Sequence, residues 1–142
     1  MGNGRRRRDL MIATAHRLVA GHHRLVFSAV AAAIKEIRDR QESTGGWSQF
    51  ARTEPDAYAT GQSLYALHVA GVAATDAAYR KGVAYLLGSQ YQDGAWLVKT
   101  HSFPVQRYFE SGFPFGRHQW ISAAGTSWAT LAIAQTLPNA SK

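Results

Sequence analysis

The sequence predicts an all-α protein built from repeated helical hairpins and interrupted by one long aromatic loop. Three observations carry this reading. Gln41-Glu-Ser-Thr-Gly45-Gly-Trp47 and Gln90-Tyr-Gln-Asp-Gly94-Ala-Trp96 share their Gln, Gly and Trp offsets and are displaced by 49 positions. Gly61-Gln-Ser63-Leu-Tyr-Ala-Leu67 aligns with Gly125-Thr-Ser127-Trp-Ala-Thr-Leu131 at an offset of 64, so the second unit holds 15 extra residues between its Trp and its next helix. Between these markers apolar residues recur at three- and four-residue steps, the period of an amphipathic helix. Periods of roughly 20 to 50 residues mark arrays whose units are single supersecondary elements.

The elements follow in order. Residues 1–20 form a basic tail in which the four arginines at 5–8 and Asp9-Leu10-Met11 faintly resemble a twin-arginine export signal. An export core runs for about 7 to 15 uninterrupted apolar residues, and His16-Arg17 and His22-His23-Arg24 interrupt this one. A solvated tail is therefore the expectation, and the compartment stays open between soluble and peripheral-membrane. Residues 21–142 are the repeat region. Leu25, Val26, Val30, Ala33, Ile34 and Ile37 predict an amphipathic helix ending near Gln41, where Thr44-Gly45-Gly46 stops it. Asp56 is placed to cap a helix carrying Ala59, Leu64, Leu67 and Val69, with Gly71 at its end. Thr75 or Asp76 caps the next, whose expected buried face is Tyr79, Val83, Leu86 and Leu87. From Leu97 to Gln119 the pattern is lost, because Pro104 and Pro114 exclude a helix interior. A last helix is expected from about Trp120 to Thr136, with Pro138 beyond it.

Composition bounds the functions open to such a chain. Its 142 residues, 46% hydrophobic, suffice for one globular domain with a modest core. Of the net charge of +7, residues 1–40 hold 9 basic against 3 acidic side chains, and the rest hold 7 against 6. The repeat region is thus nearly neutral, which argues against a nucleic-acid partner. Cysteine is absent, which removes disulfides, thiolate metal sites and thiol nucleophiles. His22, His23 and His101 lack metal-ligand spacing, so neither a metal nor a cofactor is expected.

The Lys81-Gly82-x-x-Tyr85-Leu86-x-x-x-Gln90-x-x-x-Gly94-x-Trp96 pattern resembles the QW repeat of squalene-hopene cyclases and related triterpene cyclases. The copy at 32–47 keeps the Gln, Gly and Trp and lacks the aromatic, and Ser111-Gly112-Phe113-Pro114 resembles the Gly-Phe-Pro segment near the end of those enzymes. The resemblance covers residues 32–136 and implies the C-terminal part of a partial α/α toroid, a helical-hairpin repeat arc. In it Gln41, Trp47, Gln90, Gly94 and Trp96 would be structural, the Gln and Trp tying neighbouring outer helices together. Ring closure takes more helices than this chain offers, and an arc leaves apolar end faces unless they are capped. Additional toroid repeats or self-association are therefore implied partners.

The same resemblance frames the chemistry. Hopene-type cyclases protonate an alkene with an Asp-x-Asp-Asp motif, and the nearest segment here is Asp56-Ala57-Tyr58-Ala59-Thr60. A phenol with a pKa near ~10 cannot replace that acid. Cyclisation by this chain alone is not expected, and whether it is an enzyme at all stays open. Phe113 matches the cavity-lining Phe of Gly-Phe-Pro, whereas Ile121 and Ala124 stand where the family places further aromatics. Phe103, Tyr108, Phe109, Phe113, Phe115 and Trp120 with Glu110, Arg117 and His118 have the composition of a pocket rim. Tyr108, Phe109, Phe113 and Trp120 are the expected contacts for an isoprenoid-like apolar ligand, with a membrane surface as another apolar partner. Glu110 and His118 are the only acid and base candidates. The competing expectations are a loop that merely covers the end of the stack, and a non-enzymatic helical-repeat interaction module.

Overall fold

Asp56 and Asp76 each start a helix. The Asp56 carboxylate accepts the N–H of Ala59 at 2.9 Å, and Asp76 accepts those of Ala78 and Tyr79 at 3.0 and 3.4 Å. Such caps satisfy donors that the first helical turn leaves open and are worth about 1 kcal/mol each. The computed structural model describes residues 24–103 and 108–137. In chain order it has α1 at 24–39, α2 at Ala57–Val69, α3 at Ala77–Ser89, a 3-10 turn at Gly116–His118 and α4 at Gln119–Ala134. The described residues contain no strand. The arginines at 5–8, His22, His23, Pro104 and Pro138 lie outside them.

The end of α2 is set by Gly71. At φ +83° its N–H bonds His68 O at 2.9 Å while Val72 N–H bonds Leu67 O at 2.9 Å. This paired arrangement closes a helix on a left-handed residue, which a glycine adopts without a Cβ clash. The chain then turns directly into α3, making the expected antiparallel hairpin.

The chain divides into two units, Met1–Glu36 and Ile37–Lys142. In the first, Leu25, Val26 and Val30 of the amphipathic stripe are exposed. In the second, α2 packs most extensively on α4. A Cβ on Gly61 would lie 2.8 Å from that of Trp128, and one on Gly125 would lie 2.6 Å from Val98 Cγ2. The two glycines of the sequence repeat therefore sit where neighbouring segments approach too closely for any side chain. The core includes Trp47, Leu64, Leu67, Tyr79, Leu86, Trp96, Val98, Ala129 and Ala132.

One expectation needs correction. Leu87 is 56% exposed and Val83 only half-buried, because α3 is covered on the side bearing Tyr79 and Leu86 alone. Residues 97–100 have no regular secondary structure, as expected, but Val98 is tied to α4. Val98 N–H donates to Ser122 Oγ at 3.0 Å, and that hydroxyl donates back to Val98 O at 3.2 Å. A helix hydroxyl thus satisfies both backbone groups of Val98, which no periodicity reveals.

Candidate functional site

The two Trp-bearing turns frame the site and are built alike. Trp47 Nε1 donates to Ile37 O at 2.6 Å, and Trp96 Nε1 donates to Leu86 O at 2.8 Å, each ten residues upstream. The backbone N–H of Trp47 donates to Thr60 Oγ1 at 3.0 Å and that of Trp96 to Thr126 Oγ1 at 3.1 Å. Thr60 and Thr126 are 66 residues apart, whereas the glycine alignment has an offset of 64. The helices thus meet their turns two residues out of the sequence register, since the hydroxyl that reaches the Trp sets the contact.

The glutamines differ. Gln41 Nε2 donates to Gly45 O and, at 2.8 Å, to Ala78 O in the first turn of α3, beside an Arg38–Asp76 ion pair at 2.7 Å. Gln90 Nε2 reaches only Gly94 O of its own turn, at 2.9 Å. Tyr85 packs its ring on Gly46 and donates its hydroxyl to Pro55 O. Burial, then the charges of Asp56, Glu42 and Glu54, push that hydroxyl up to about 12.

An aromatic platform is built at the start of α4. Trp120, in the first turn of α4, has Phe109 and Phe113 at centroid distances of 6.0 and 5.9 Å, and all three rings are about half exposed. Behind it Gln119 is 1% exposed. Its Nε2 donates to Phe109 O at 3.0 Å and its Oε1 accepts from Ser111 Oγ, clamping the loop to α4. A lone Gln carries no sequence pattern, so this anchor was not foreseen. Tyr91 meets Phe115 at 5.3 Å, and Phe103 is fully exposed.

Glu110 and His118 are engaged separately. Glu110 accepts from the Tyr108 hydroxyl and, at 3.0 Å each, from the N–H groups of Ser111 and Gly112. The Tyr108 hydroxyl, followed by the Gly112 N–H, holds its carboxyl below the usual range. His118 Nδ1 accepts Thr100 N–H at 3.0 Å. Burial, then the charges of Arg117, Lys99 and His101, keep the imidazole below its ordinary value. Glu110 is thus ionised and His118 neutral near pH 7, and no hydrogen bond joins them.

A second concavity, which sequence reasoning missed, opens at the N-terminal end of α2. It has a volume of about 320 Å³ and is lined by Ser48, Gln49, Phe50, Tyr58, Ala59, Gln62 and Ser63. Asp56 caps α2 and accepts Gln49 Nε2 at 2.7 Å. None of its lining residues belongs to the aromatic platform.

Paired helices joined by Trp-anchored turns, with α2 and α4 in close contact, define an all-helical protein of the α/α-toroid type. The squalene-hopene cyclase C-terminal domain matches residues 12–141, and the chain belongs to that family. No curated protein and no solved structure matches it.

Proposed function

We propose that this chain is a cyclase-like toroid module that holds an isoprenoid-like apolar ligand on the Phe109–Trp120–Phe113 platform and does not cyclise it alone. The observation that carries the reading is the Gln119 clamp, which fixes three half-exposed rings in one patch. Rings held in place lose little freedom on binding, and each 100 Å² of apolar area covered contributes roughly 2.5 kcal/mol before association costs. The two Trp-bearing turns act as the QW repeats of this scaffold. The absence of cyclisation is supported by Asp56, whose carboxylate is committed to the α2 cap and Gln49, and by Glu110, which is held as a carboxylate.

Titration with a non-reactive azasqualene tests this. Trp120→Ala and Phe113→Ala should each weaken binding about tenfold. Unchanged affinity in both would leave the platform as a cover, and a cyclised product from squalene would overturn the claim of inactivity.

A second reading, an interaction module, is favoured by the edge carrying Leu87, Gln90 and Tyr91, all exposed. On the first turn the matching Gln holds a helix start, so a further toroid repeat or a second copy would complete this one. Sedimentation of the intact chain and of Leu87→Asp checks it, with a shift toward monomer expected for the variant.

A further inference from the structure

The concavity beside α2 calls for a ligand of a different chemistry from the platform's. We propose that it binds a neutral polyhydroxylated ring, a pyranose sugar or glycoside, through Ser48, Gln49, Tyr58, Gln62 and Ser63 with Phe50 as its apolar wall. Three features converge on that class.

The first is the absence of ionisable side chains other than the Tyr58 phenol from the lining. An anion or cation taken out of water there would find no counter-charge, and an uncompensated charge is the costliest thing to bury. Asp56 is not among the lining residues, and each of its carboxylate oxygens already accepts a hydrogen bond, from Ala59 N–H and from Gln49 Nε2, while its negative charge disfavours an anion.

The second is the number of open hydrogen-bonding groups. The hydroxyls of Ser48, Tyr58 and Ser63 and the amide of Gln62 have no hydrogen-bond partner among the described residues. Tyr58 and Gln62 are one helical turn apart, and Gln62 adjoins Ser63, so α2 presents all three toward the same recess. Gln49 is oriented by its bond to Asp56, which leaves its amide oxygen as a fixed acceptor. A hydrocarbon ligand would cover these groups without satisfying them, at about 1 to 3 kcal/mol apiece. A ring bearing several hydroxyls, each both donor and acceptor, satisfies them.

The third is Phe50, 57% exposed and in T-shaped contact with His101 at 5.5 Å. It offers an aromatic face to the C–H side of a sugar ring, and amphipathic rings recognise ligands with one wet and one apolar side in this way. The volume of about 320 Å³ lies at the small end of the roughly 300 to 1,000 Å³ usual for ligand pockets, which suits one or two rings.

The test follows the side-chain amide signals of Gln49 and Gln62 by NMR while the intact chain is titrated with methyl β-glucopyranoside, cellobiose and glucuronate. Saturable shifts of both signals are expected with the neutral sugars at a Kd near ~1 mM, with weaker binding of glucuronate. Gln62→Ala and Phe50→Ala should each weaken the neutral sugars about tenfold. Absence of shifts with either neutral sugar, equal or tighter binding of glucuronate, or unchanged affinity in both variants overturns the proposal. Azasqualene shifting the same amides would also overturn it. The recess and the platform share no lining residue, so failure here leaves the apolar-ligand reading standing, and the reverse holds too.

Discussion

The turn at 41–47 and the turn at 90–96 are the same device in two conditions. Each seats its indole N–H on a carbonyl ten residues back and its backbone N–H on a threonine, and each Trp is buried. The difference lies in what stands beyond. The first turn is pressed against α3, where a Cβ on Gly45 would lie 2.6 Å from Lys81 O and one on Gly82 would lie 2.8 Å from the Trp47 ring. At Gly94 such a Cβ would meet nothing nearer than Gln90 Nε2 at 3.8 Å. The copy with the fuller sequence match is therefore the one whose Gln makes no tie to another helix. A motif records the capacity for a contact, and the neighbour decides whether it is made.

Substitutions can break this contrast, beginning with the largest effect. Gly45 and Gly94 both have positive φ, +92° and +84°, but only Gly45 faces a backbone atom. Gly45→Ala should cost about 3 kcal/mol, from left-handed strain plus overpacking, and Gly94→Ala about 1 kcal/mol from strain alone. Urea denaturation reads both, and equal losses would abolish the distinction between the turns. Trp47→Phe and Trp96→Phe probe what the turns share, and each should lose about 2 kcal/mol from a missing hydrogen bond and lost packing. A large gap between them would show that one turn is not built as described.

The glutamine pair is smaller and more specific. Gln41→Ala removes the bond to Ala78 O and should cost about 1.5 kcal/mol, whereas Gln90→Ala should fall within about 0.5 kcal/mol of the parent. A double-mutant cycle of Gln41→Ala with Arg38→Ala would show whether the two ties from the end of α1 to the start of α3 act together.

The smallest effects are in pH. Tyr85, beside the first turn, has its hydroxyl raised to about 12 by burial and by neighbouring carboxylates. Its neutral form favours the fold, so its contribution is complete below the ordinary value near ~10 and disappears as pH rises from there toward about 12. Tyr85→Phe should flatten that alkaline limb. Near the second turn the signs reverse. Glu110 and His118 are both lowered, so their contributions are present above their ordinary values and fade as pH falls through the folded ones. Stability curves of the parent and His118→Ala between pH 4 and 8 should differ mainly on the acid side.

Much of the fold was legible because its signals are local. Asp56, Asp76 and Gly71 act within five residues of themselves, so capping and left-handed chemistry place the helix ends directly. Tyr108, Phe109, Phe113 and Trp120 were recognisable as a group by composition, and three of them do meet. The Gln119 clamp, the tie between Val98 and Ser122 and the recess beside α2 were not legible. Each depends on a polar side chain meeting backbone, or on separate segments meeting, and single Gln or Ser residues leave no period to detect.

By itself the sequence determined the helical hairpins, the two Trp turns and the family, since these follow from residue types acting over one or two turns of chain. The tertiary structure decided which glutamine is a tie, which leucine of α3 is covered, and that the hydroxyls holding the two Trp turns are those of Thr60 and Thr126, two residues out of the glycine register. The physical reason is distance along the chain. Gln41 and Ala78 are 37 residues apart, and only packing of the intervening helices brings that amide to that carbonyl.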